Sequence, residues 1–111
     1  MLTTDEIYEV LSTINEDGIE YKNHFLLRLN TRARISSVVP NNLEEIKKIL
    51  LNRCPVYVDY QGNNEYKVFY DITDKRDLVV VLWLRVTSPT KIKFITLYPQ
   101  DVRRRLKKNE R

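Results

Sequence analysis

His24, Arg28 and Arg32 recur at four-residue spacing, which on a helix stacks an imidazole and two guanidiniums along one face. Histidine is the side-chain type that both takes and gives a proton near neutrality, and fixed guanidinium charge steadies a negatively charged transition state. Those are parts for cleaving RNA: one group removes the 2′-hydroxyl proton while the arginines hold the phosphate. A histidine on an ordinary solvated helix face has the same spacing. Further along, Thr96 and Tyr98 are hydroxyl donors within reach of a phosphate, unless Tyr98 only packs at a core margin with its hydroxyl in water. Plain alternation puts Ile92, Phe94, Thr96 and Tyr98 on one strand face and Lys91, Lys93, Ile95 and Leu97 on the other. This predicts Thr96 and Tyr98 on the side where the His24 helix packs.

A second group suits binding more than chemistry. Trp83 and Arg85 share a strand face, and with Lys67, Phe69, Lys93 and Tyr57 they form a mixed aromatic and basic surface. Stacked bases and neutralised phosphates use that mixture, and so do homodimer and protein interfaces. The closing run with Arg103, Arg104 and Arg105 adds phosphate contacts that carry no sequence reading, or else is a solvated terminal helix. Charge is segregated. Residues 1–21 hold six acids and no base, 22–34 hold four bases and no acid, and 101–111 hold six bases against two acids. A polyanion suits the two basic blocks.

Other chemistries are excluded by what is missing. Two glycines cannot build a phosphate-cradling loop, one histidine and one cysteine cannot make a zinc cluster, and no serine has a glycine-flanked nucleophile elbow. An enzyme here is expected to work without metal or cofactor. Cys54 has no partner for an internal disulfide, and no secretory signal opens the chain, so a cytoplasmic setting is expected. The longest apolar run, Leu78 to Leu84, falls far short of the roughly 20 residues of a membrane span, so no membrane partner is expected.

The elements that position these residues follow from periodicity. With 111 residues, 42% hydrophobic and 31% charged, the chain is one folded domain. Thr3 and Glu6 form a capping box ahead of the stripe Ile7, Val10, Leu11 and Ile14, and Asp17-Gly18 ends that helix with a left-handed turn. A second helix spans about Lys22 to Arg32, with Phe25, Leu26 and Leu29 inward and Ile35 to Pro40 as connector. A third, capped by Asn41 or Asn42, ends near Asn52 and buries Leu43, Ile46, Ile49 and Leu50. Residues 55–60, 65–72, 78–86 and 91–98 read as strands, Pro99 stopping the last. Short connectors make them a four-stranded antiparallel meander. The expected class is α+β: a helical part over 3–53 packed on one face of a sheet over 55–98, then a basic tail over 99–111 with a short helix.

The run from His24 to Arg32, followed by Ile35-Ser36, resembles the His-x3-Arg-x3-Arg helix of small toxin-like proteins. Lys93 to Tyr98 resembles their last strand, which closes in Thr-x-Tyr. That group belongs to the barnase–EndoU–colicin–RelE class of metal-independent ribonucleases, with helices ahead of a four-stranded antiparallel sheet. The resemblance spans about Tyr21 to Tyr98, and the connector Ser36 to Asn42 is longer than the pattern's. It implies a toxin-type endoribonuclease leaving a 2′,3′-cyclic phosphate, with RNA as substrate and a cognate antitoxin or immunity protein as partner. By matching position, His24 would be the acid/base, Arg28 and Arg32 the phosphate ligands, and Thr96 and Tyr98 the last-strand partners. The alternative is a non-catalytic nucleic-acid-binding or protein-interaction module on such a fold, and a homodimer through the Trp83 face is a third possibility.

Overall fold

In a computed structural model, residues 1–14, 16–87 and 89–104 are described, Glu16 by its backbone alone. Helix α1 (Thr4–Thr13) opens on the expected capping box: the Thr3 hydroxyl accepts from the Glu6 amide at 3.2 Å, and the Glu6 carboxylate accepts from the Thr3 amide at 2.9 Å. Helix α2 (Asn23–Ile35) runs three residues further than expected, through Ala33 and Arg34 to Ile35, the first residue of the expected connector. Helix α3 (Leu43–Asn52) is capped by Asn42, whose side-chain oxygen accepts from the Glu45 amide at 2.9 Å. Phe25 and Leu29, Ile7 and Leu11, and Ile46 and Leu50 are the buried residues of these helices, one stripe from each.

The sheet corrects the expected meander. Among the described residues it has five strands in the order β1-β5-β4-β3-β2 and is mixed. β2 (Tyr57–Gly62), β3 (Glu65–Asp71), β4 (Arg76–Arg85) and β5 (Lys91–Asp101) are the antiparallel series, and β1 (Ile19–Tyr21) lies parallel to β5. Three residues are too few to show an alternation, so β1 is invisible to periodicity. It forms because Ile19, Glu20 and Tyr21 pair with Ile92, Lys93 and Phe94. The Asp17-Gly18 stop is also corrected. Helix α1 ends at Thr13, a 3-10 turn spans Glu16–Gly18, and Gly18 does not have a positive φ. Its lack of a side chain serves close approach, since a Cβ there would stand 2.7 Å from the Thr90 carbonyl oxygen.

The β2–β3 turn uses Asn63 and Asn64 at φ 52° and 65°, the left-handed pair that a tight hairpin requires and that asparagine tolerates. Pro99 does not stop β5, which continues to Asp101. It sits opposite Leu78, beyond the stretch that β1 covers, where an edge position needs no N–H. Residues 102–104 are helical; the rest of the span given to the expected basic helix lies outside the described residues.

The helices pack on one face, as expected. The inner face carries Tyr66, Val68 and Tyr70 of β3, Leu78, Val80, Leu82 and Leu84 of β4, and Ile92, Phe94 and Leu97 of β5, all in one cluster with the helical stripes. The α2 ring of Phe25 meets Phe94 at 5.3 Å between centroids. No helix among the described residues is long and apolar enough to cross a membrane.

Candidate nucleic-acid interface

The register of β5 decides where the candidate residues point. Consecutive residues Val81 and Leu82 of β4 pair with Thr96 and Phe94, so Ile95 is an extra residue in β5. Such a bulge resets the alternation. Phe94 keeps the side of Leu82, facing the helices, while Thr96 takes the side of Val81 and Tyr98 that of Val79. Thr96 and Tyr98 therefore face away from α2, contrary to the expected alternation, and Leu97 takes the inner position, fully buried. The five residues given to catalysis are thus divided. His24 and Arg28 are exposed on α2, Arg32 is half-buried there with its Nε enclosed and unpaired, and Thr96 and Tyr98 belong to the opposite sheet face.

The bulge joins Thr96 and Tyr98 to the second candidate group. Pairing of Lys67 with Val81, Phe69 with Val79, Trp83 with Lys93, Arg85 with Lys91 and Tyr57 with Phe69 puts all of these residues on that outer face. Lys93 Nζ lies 5.2 Å from the Trp83 ring centroid, a cation–π contact that holds an ammonium beside an open indole. Arg85 donates from Nη2 to the Pro89 carbonyl at 3.4 Å, and its Nε is enclosed without a partner. Tyr57 packs edge-on against Phe69 at 5.2 Å, giving that part of the face an apolar base.

The face is not uniformly basic. Asp59 and Glu65 stand on its β2–β3 side, opposite Lys67 and Trp83. The β4–β5 side holds Arg85, Lys91 and Lys93, with Glu20 of β1 pairing both lysines, at 3.6 Å and 4.0 Å. At the far end, Arg104 lines a small recess of about 220 Å³ together with Tyr98, so the start of the basic tail adjoins this face. Arg103 is largely neutralised by Asp101, its Nη2 3.4 Å from the carboxylate, and the Arg103 amide bond to that group holds the Asp101 pKa below its ordinary value. Arg105 lies outside the described residues.

On the helical side, β1 stops at Tyr21 while β5 runs on, and the step between them opens a cleft of about 600 Å³. Phe25, Phe94 and Ile95 give it apolar walls; Lys22, His24 and Lys93 stand around it. Sequence reasoning missed Lys22 and Tyr21 here, because their place depends on β1. Cys54 is exposed, and its thiol donates to Asp5 at 3.6 Å; desolvation and that carboxylate push its pKa up, the wrong direction for a nucleophile.

Residues 5–82 match the model of the MJ0788 family. The chain belongs to that family. No curated protein and no solved structure matches it. The span shared with the MJ0788 family runs from α1 through most of β4, so Trp83, Arg85, Lys93, Thr96 and Tyr98 lie beyond it.

Proposed function

We propose that this MJ0788 family chain binds single-stranded RNA on the outer sheet face, along the β4–β5 side. The observation that carries the reading is the Ile95 bulge, which adds Thr96 and Tyr98 to the face turned away from α1, α2 and α3, already bearing Trp83, Arg85 and Lys93. An indole and a phenol offer stacking platforms that any base can use, and the cations between them follow the phosphates. Each phosphate neutralised releases counterions, so affinity falls steeply with salt.

The test is fluorescence anisotropy of a labelled single-stranded RNA at low and moderate salt, with Lys93→Ala and Arg85→Ala in parallel. Binding that weakens with salt, and in each variant with a shallower salt slope, supports the reading. Affinity unchanged in both variants overturns it.

A second reading, metal-independent endoribonuclease with His24 as acid/base, is favoured by His24 and Lys93 lining the same cleft. Its test is incubation of RNA with the protein in EDTA beside His24→Ala. A 2′,3′-cyclic phosphate product that disappears in the variant supports catalysis, and intact RNA leaves binding alone.

A further inference from the structure

The cleft at the end of β1 opens on the helical side and shares Glu20 and Lys93 with the outer face. We infer that this cleft receives one nucleotide of the bound strand, its base against Tyr21 and its phosphate at Lys22 and Lys93; the inference rests on the single-stranded RNA reading.

The volume, about 600 Å³, falls within the roughly 300–1,000 Å³ of small-molecule sites. Its chemistry is divided as a nucleotide's is. Phe94 and Ile95 offer an apolar wall, and Tyr21, 43% exposed, adds an aromatic ring with a free surface. Lys22, His24 and Lys93 are the cationic or proton-bearing groups, and Glu20 is the one acid. An apolar ligand would leave those cations unused, and a bare phosphate would leave the aromatic ring unused. Glu20 holds Lys93 at 4.0 Å through an exposed pair, an anion's position that an arriving phosphate can take over at small cost. Lys93 also lies over Trp83, so a strand stacked on the outer face reaches the cleft by turning around one side chain.

The chain has one histidine and one tryptophan: His24 reports on the cleft, and Trp83 on the outer face and on Lys93, which the two share. The experiment follows the His24 imidazole proton signals by NMR and Trp83 emission by fluorescence at fixed pH. The full chain is titrated with adenosine monophosphate, uridine monophosphate, inorganic phosphate and a single-stranded RNA oligonucleotide. The nucleotides are expected to shift His24 at concentrations where phosphate does not, and the oligonucleotide to move both His24 and Trp83. Tyr21→Ala is expected to weaken the nucleotide response about tenfold, as loss of a stacked ring does. Glu20→Gln is expected to tighten it about twofold to fivefold, since a screened surface pair is released. Tyr21 and Glu20 are partly exposed on an edge strand, so both variants keep the core intact.

A His24 signal unmoved by either nucleotide, while Trp83 responds to the oligonucleotide, overturns the cleft and leaves the outer face standing. A response to phosphate equal to that of the nucleotides, unchanged in Tyr21→Ala, also overturns it. Silence at Trp83 with the oligonucleotide counts against the outer face instead.

Discussion

The two faces of this sheet are made by the same strands, yet they tolerate different things. On the inner face nearly every position is apolar and closed off: Val68, Leu78, Val80, Leu82 and Leu97 are fully buried against the three helices. On the outer face Phe69 and Val79 are just as buried, but between them and the strand ends stand Trp83, Arg85, Lys67, Thr96 and Tyr98, all partly exposed. Folding alone accounts for the inner face, because burying each large side chain contributes about 1.5–3 kcal/mol. Trp83, partly buried under a lysine, stands next to an arginine without a carboxylate partner among the described residues. Both faces bury apolar side chains, but only the outer one also carries partly exposed aromatic and basic groups, the ones the RNA reading uses.

That contrast can be broken in order of effect. Leu82→Ala removes a fully buried side chain facing Phe94 and is expected to cost about 2–5 kcal/mol, read from denaturant midpoints. Its affinity for RNA, measured where the variant remains folded, should stay near that of the parent. Trp83→Ala is expected to do the reverse, weakening RNA binding by about 1–3 kcal/mol. A loss of stability larger than that of Leu82→Ala would put Trp83 in the core instead.

Deleting Ile95 sharpens the same comparison. With the bulge gone, Phe94 and Thr96 fall on opposite faces by plain alternation, so the inner set is kept and the loss of stability should be smaller than for Leu82→Ala. Complete unfolding would mean that β5 alternates without interruption and that Thr96 and Tyr98 face the helices.

The smallest effect belongs to the start of α1. Thr3→Ala removes the cap and is expected to cost about 1 kcal/mol, measured by thermal melting. The Thr3 bonds hold the Glu6 carboxyl below its ordinary pKa of 4.5. A depressed carboxyl contributes stability above its unfolded pKa and loses it as pH falls through the folded value. Alanine keeps the larger, backbone-amide bond to that carboxylate and loses only the hydroxyl's share, so the difference between parent and Thr3→Ala should narrow only slightly as pH falls below about 4.5. RNA affinity should not change.

Much of this was legible in the residues. The capping box, the three buried stripes and the four longer strands follow from local signals, and an asparagine cap at 41 or 42 was legible without the choice of Asn42. What escaped was short or depended on a partner. Strand β1 has three residues and exists only through its pairing with β5. The bulge did leave a trace: apolar Phe94 and Leu97 are three apart, as are polar Lys93 and Thr96, so polarity changes phase across Ile95. Plain alternation ignored that change and placed Thr96 and Tyr98 beside His24. The resemblance to the last strand of toxin-type ribonucleases rests on spacing along the chain, which carries no information about which face a residue takes. The aromatic and basic outer group was found because it lies mainly on β3 and β4, where the alternation is regular.

Trp83 is the chain's one tryptophan, so its emission tests the central claim most directly. Titration of the full chain with a single-stranded RNA oligonucleotide at low salt should quench and shift that emission saturably, and added salt should reverse it. Emission that stays unchanged while anisotropy reports the same RNA bound would contradict the account, because the strand would then be held away from the outer face.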